Sequence, residues 1–144
     1  MTLIEAINRI DALKNNRFSQ EEKTRWLSVL DGRIKSEIID THEGGTQTFD
    51  GYDANTILTT ELLVPAPYDE IYLYYLEMRI DYANGEYQKY ENSATMFNTA
   101  YVDYSKYYNR THLPISKPFK MFGAIKTKDW SIANTFVKVS LEEE

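Results

Sequence analysis

Histidine is the side chain most readily recruited as a general base or metal ligand near neutral pH, and this chain has two, His42 and His112. They are far apart in sequence, and neither belongs to an i, i+4 pair or a His-x-x-His arrangement. Their positions instead suit helix ends, where an imidazole meets the last backbone carbonyls. The run Asp50-Gly51-Tyr52-Asp53-Ala54-Asn55 is rich in the oxygen ligands that hard cations prefer. It lacks the alternating spacing and terminal Glu of an EF-hand, so it reads as an Asx-type turn. The acidic pairs Glu21-Glu22 and Asp69-Glu70 fall where first helical turns are expected, and there negative charge suits the helix dipole. With no cysteine there is no thiolate nucleophile, no disulfide and no Cys-based zinc site. No Gly-rich phosphate loop follows a strand pattern, and no Ser sits in a Gly-x-Ser-x-Gly turn. Asn109-Arg110-Thr111 matches the glycosylation triplet, but nothing at Met1-Thr2-Leu3-Ile4-Glu5 marks the chain for secretion. The expectation is a protein with no catalytic residues, no cofactor and no metal: not an enzyme.

The elements that would position any site follow from periodicity. The 144 residues suit one domain with extensions. A 42% apolar share is that of a globular chain, and no run approaches the roughly 20 apolar residues that span a bilayer. A net charge of −6 disfavours broad binding to phosphate backbones. Thr2-Leu3-Ile4-Glu5 is a capping box, and Leu3, Ile7, Ile10 and Leu13 recur at helical spacing, which predicts a helix over 2–13. A second box at Ser19-Gln20-Glu21-Glu22 opens a helix carrying Trp26, Leu27, Leu30, Ile34 and Ile38 to about residue 41. Gly32 inside it marks either a close approach or a weak point. Periodicity then fails over 42–67, a long connection with room for a short β-hairpin at 46–49 and 56–64.

Eleven of the twelve tyrosines crowd into 67–111, the exception being Tyr52. Tyr68, Tyr72, Tyr75, Arg79 and Tyr82 share one helical face, while Tyr90, Ala94, Phe97, Tyr101, Tyr104 and Tyr108 step by three and four along another. Two long helices are predicted, over 68–83 and 86–109, joined at Asn84-Gly85 as an antiparallel hairpin. Tyrosine has an apolar body and a hydrogen-bonding tip, so these rings suit a half-buried interface as well as a plain core. Stacking on nucleotide bases is disfavoured by the acidic balance. Pro114 and Pro118 prevent a continuous helix over 113–119, and Phe136, Val137, Val139 and Leu141 fit a strand, so 113–144 reads as an extended arm. The fold class expected is mainly α: a small helical bundle over 1–112 with two long antiparallel helices, a long loop or short β-hairpin insertion at 42–67, and the C-terminal arm. Candidate interface residues are Tyr68, Tyr72, Tyr75, Tyr90, Phe97, Tyr101, Tyr104 and Tyr108, with Phe119, Phe122, Trp130 and Phe136 of the arm.

Several segments resemble small proteins of long-tailed bacteriophages and prophages. They are Arg25-Trp26-Leu27-Ser28 with Glu37-Ile38-Ile39-Asp40-Thr41-His42, Glu61-Leu62-Leu63-Val64-Pro65 with Pro67-Tyr68-Asp69-Glu70-Ile71-Tyr72, and Met96-Phe97-Asn98-Thr99-Ala100-Tyr101 with Tyr107-Tyr108-Asn109-Arg110-Thr111-His112. The family resembled is the head-to-tail connector, or adaptor, group, over about residues 1–114. The resemblance implies a helical structural virion protein that forms a ring, typically of twelve copies, between the portal and the stopper or tail proteins at the phage neck. It implies no cofactor and no membrane, with genomic DNA only as cargo passing through the channel. Localisation would be the virion, and the host cytoplasm during assembly. A tail terminator or tail-completion protein shares the size and ring habit. A small cellular interaction module is a further alternative, and a nucleotide- or metal-dependent enzyme comes last.

Overall fold

A computed structural model describes residues 1–45 and 47–116. The chain divides into two units, Met1–Pro114 and Ile115–Glu144. The first is the helical body, two residues longer than expected because the Glu43 amide donates to the Leu113 carbonyl (2.8 Å) and His42 bridges to Pro114. The strand expected near 136–141 lies outside the described residues.

The body is mainly α-helical, as its periodicity predicts. Helices α1 (Leu3–Leu13), α2 (Gln20–Glu37), α3 (Ile71–Ala83) and α4 (Tyr87–Thr111) are accompanied by two 3-10 turns, Ile39–Thr41 and Tyr68–Glu70. Both N-terminal caps form. Thr2 and Glu5 exchange side-chain bonds with each other's amides, and Ser19 accepts from the Glu22 amide. Helix α2 stops short of residue 41 because side chains compete for its last carbonyls: the Thr41 hydroxyl (2.7 Å) and His42 Nδ1 (2.7 Å) both bond the Ile38 oxygen. Asn84-Gly85 ends α3, with Gly85 at φ +74°, the left-handed geometry that Gly supplies without strain. Gly32 meets Phe49 at ordinary van der Waals distance, so it is neither squeezed nor bare.

The 42–67 segment holds no strand among its described residues, so the hairpin alternative gives way to the long loop. Helix α1 supplies the reason. Its first amides have no intrahelical acceptor, and the segment delivers carbonyls to them, Thr60 to the Leu3 amide and Leu58 to the Ile4 amide, each at 3.0 Å. The Leu62 amide donates to the Met1 carbonyl, completing a single bridge between Thr2 and Glu61. The loop's backbone is thereby committed to capping a helix rather than to pairing with itself.

Beneath this loop lies a core of Leu3, Ile7 and Ile10 from α1, Leu27, Leu30 and Ile34 from α2, and Ile71, Leu76 and Ile80 from α3. Two carboxylates are embedded with them. Asp31 of α2 is fully buried, and accepts from the hydroxyls of Tyr72 and Tyr52, both at 2.6 Å, and from the Leu63 amide at 3.2 Å. The Tyr72 hydroxyl in turn accepts from the Val64 amide at 2.8 Å. One carboxylate thus fastens α2, α3 and the loop at two points, its middle and its last residues. Asp81 of α3, also fully buried, pairs with the Lys14 ammonium and accepts from Ser93 Oγ of α4 at 2.6 Å. A third tie, Lys23 to Asp11 at 2.5 Å, joins α2 to α1.

Burial pushes the Asp31 carboxyl above its ordinary value, and the three donors hold the rise in check. The Tyr72 and Tyr52 hydroxyls are pushed up by burial and by the carboxylate beside them, so both stay protonated as donors. A raised folded-state pKa means that the contribution of Asp31 to stability is complete below 3.8 and is lost as pH rises through the folded value. Carboxyl NMR should therefore place its titration midpoint above 3.8; a midpoint at or below that value contradicts the burial described. Chemical denaturation should rank Asp31→Ala as the costliest change, since it strands donors at about 1–3 kcal/mol each when buried. Tyr72→Phe should come next, because it also deprives the Val64 amide, and Tyr52→Phe last.

Candidate functional site

The eight described rings proposed for an interface separate into inward and outward sets. Tyr72, Tyr75, Phe97, Tyr104 and Tyr108 are core residues, none more than 9% exposed. Tyr75 of α3 meets Phe97 of α4 across the seam at 5.2 Å between centroids, and Tyr104 and Tyr108 neighbour each other along α4 at 6.0 Å. The apolar bodies of these five fill the protomer's own interior. Tyr68, Tyr90 and Tyr101 are half-buried. Tyr68 stacks on Tyr107 at 4.6 Å, and Tyr90 leans on the exposed Tyr82 at 5.4 Å. Tyr101 is engaged within the chain: its hydroxyl donates to Glu37 at 2.5 Å and the Arg33 guanidinium lies 4.9 Å over its ring. Burial, joined by the hydrogen bond to Glu37, pushes the Tyr101 hydroxyl up to about 12. Phe119, Phe122, Trp130 and Phe136 lie outside the described residues.

Helix α4 presents a second surface. It is 25 residues long, about 37 Å at the usual rise, and packs along the 13-residue α3 through Ser93, Phe97, Tyr104 and Tyr108. The opposite side exposes Asn92, Thr95, Met96, Asn98, Thr99 and Val102. No charge occurs between Glu91 and Asp103. The Thr95 and Thr99 hydroxyls donate back to the carbonyls four residues earlier, both at 2.9 Å, which satisfies them locally and leaves methyl groups outermost. With Met96 49% and Val102 47% exposed, this is an uncharged stripe on an acidic protein.

The two histidines do come together, which their separation in sequence concealed. Tyr108 lies between them, stacked on His112 at 3.8 Å and 4° and meeting the edge of His42 at 5.0 Å and 81°. Each ring is held near a helix C-terminus, as expected: His42 Nδ1 reaches the Ile38 carbonyl, and His112 Nδ1 the Thr111 hydroxyl at 2.9 Å. Beside them opens a cavity of about 310 Å³ lined by Lys35, Ile39, Gly44, Gly45, Gln47, Leu63, Tyr104 and Tyr108. The 50–55 run forms the expected Asx turn, in which Asp53 Oδ1 accepts from the Asn55 amide at 2.9 Å. Among the described residues no group of three His, Asp or Glu side chains is placed to hold a metal ion, and no helix is long and apolar enough to cross a membrane.

Comparison of the chain with family models, with curated proteins and with solved structures finds no match. The fold and surface define a small helical bundle with one long helix open on its outer side.

If the Phe97 ring is interior, Phe97→Ala should cost about 3–5 kcal/mol, as for other large aromatics in cores. The loss should be the same at every protein concentration in urea unfolding. A loss that shrinks on dilution, as the wild type gives up the stabilisation of association, would instead assign the ring to a contact between copies.

Proposed function

We propose that this protein is a structural adaptor of a bacteriophage neck, assembling as a ring between the portal and the stopper or tail proteins. The uncharged outer stripe of α4 is the observation that best supports the reading. Copies carrying a net charge of −6 repel one another, and an uncharged face lets two of them meet without adding to that repulsion. The stripe offers such a face, with its threonine hydroxyls already bonded and a row of methyl groups and one thioether free to be covered. In a ring each copy presents one face and receives a different one, and the stripe is the face presented. The segment resemblance to the connector group supports the same reading. The buried carboxylates belong to it as fasteners of a rigid body, and no role in turnover is assigned to them.

A tail terminator or tail-completion protein would use the same stripe and differ only in which ring it joins. Light scattering after size exclusion should show a ring-sized complex when the protein is mixed with the portal of its own genome. Met96→Glu, which places a charge in the stripe, should leave helical circular dichroism unchanged and reduce incorporation at least tenfold. A protein that ignores the portal at high concentration overturns the adaptor assignment, and joining a tail tube instead selects the terminator. A Met96→Glu variant that assembles normally removes α4 as the face presented.

A further inference from the structure

The cavity at the C-terminal ends of α2 and α4 has a chemistry that the adaptor reading does not use. Its floor is Tyr104, only 2% exposed, whose hydroxyl has no hydrogen-bond partner among the described residues. Burial pushes the Tyr104 hydroxyl up, and Tyr108, Asp31 and Tyr107 add to the effect, so the group stays protonated and is a donor that no acceptor among the described residues engages. A second donor lines it: Lys35 contributes its ammonium, held by Asp40 and by the Gly45 carbonyl at 3.2 Å. The rim is backbone at Gly44 and Gly45. Gly44 sits at φ +86°, and a Cβ on Gly45 would come within 2.7 Å of the Ile39 carbonyl oxygen, so only glycine lets the rim close so tightly over the end of α2. Asp40 offsets part of the Lys35 charge, which leaves the neutral Tyr104 donor as the anchor of the site.

We propose that this cavity binds a carboxylate, with the Tyr104 hydroxyl as the principal donor and Lys35 as the flanking cation. At about 310 Å³ it is at the small end of ligand pockets, the size for one acidic side chain or a small carboxylic acid rather than a nucleotide. The assignment is independent of ring assembly, because it concerns a donor buried within one protomer.

The test uses the full chain labelled with 13C-tyrosine, titrated separately with N-acetylglutamate, with its neutral counterpart N-acetylglutamine, and with a short glutamate-rich peptide. The Tyr104 resonance, assigned by its loss in Tyr104→Phe, should shift saturably with a carboxylate and not with the amide. Saturation by N-acetylglutamate as readily as by the peptide identifies a small-acid site, and tighter saturation by the peptide identifies an acidic segment of a partner protein. Tyr104→Phe should keep its melting temperature, since it removes a hydroxyl without a partner, yet bind the better probe at least tenfold more weakly, the range for one hydrogen bond to a charged group. Absence of a saturable shift with either carboxylate overturns the proposal. So does equal response to N-acetylglutamine, and so does unchanged affinity in Tyr104→Phe.

Discussion

The structure depends on a carboxylate that has no cation. Asp31 sits wholly inside the core, and moving a charge there is costly unless its lone pairs are met by donors. Two tyrosines and one amide meet them, and they come from two parts of the chain outside α2: Tyr52 and Leu63 from the long loop, Tyr72 from α3. Once this knot is formed, the loop has a fixed course. Its later residues are then held where their carbonyls cap α1, and its earlier ones where Gly44 and Gly45 close over the end of α2. An aliphatic residue at position 31 would leave the Tyr52 and Tyr72 hydroxyls and the Leu63 amide without their shared acceptor, and the loop would keep only its ties to α1 and Ser28.

Asp81 repeats the device in a different form. It is as deeply buried as Asp31, but it has a cation, Lys14 of α1, and a hydroxyl donor, Ser93 of α4. It ties the α3–α4 hairpin to the N-terminal helix, while Asp31 ties α2 and the loop to the same hairpin. With these two points fixed, α4 needs only α3 for most of its length. Within the Met1–Pro114 unit no described residue packs on the stretch of its outer side between Glu91 and Asp103, which carries no charge, and the adaptor proposal rests on that side. Rigidity on the inner side is what an outer face needs if it is to meet a neighbour without rearranging.

Helices were legible because their signals are local. Capping boxes at Thr2 and Ser19, the breaker at Asn84-Gly85 and the stripe spacings place all four to within a few residues. The functional weight of the tyrosines was less legible, since an amphipathic stripe of Tyr looks the same whether it faces a core or a partner, and here Tyr72, Tyr75, Tyr104 and Tyr108 face the core. Asp31 did leave a sign. It stands four residues after Leu27 and three before Ile34, inside the apolar stripe of α2, where a lone acid must be either paired or wrong. The meeting of His42 and His112 on Tyr108 left none, because it depends on α4 running back along the molecule to the end of α2, a tertiary fact that no local spacing encodes.

Electron microscopy of the portal mixed with this protein tests the central claim most directly. The account predicts a closed ring on the portal with the outer side of α4 covered at each boundary between neighbouring copies. Single copies scattered on the portal, or a ring whose boundaries leave α4 facing solvent, would contradict it.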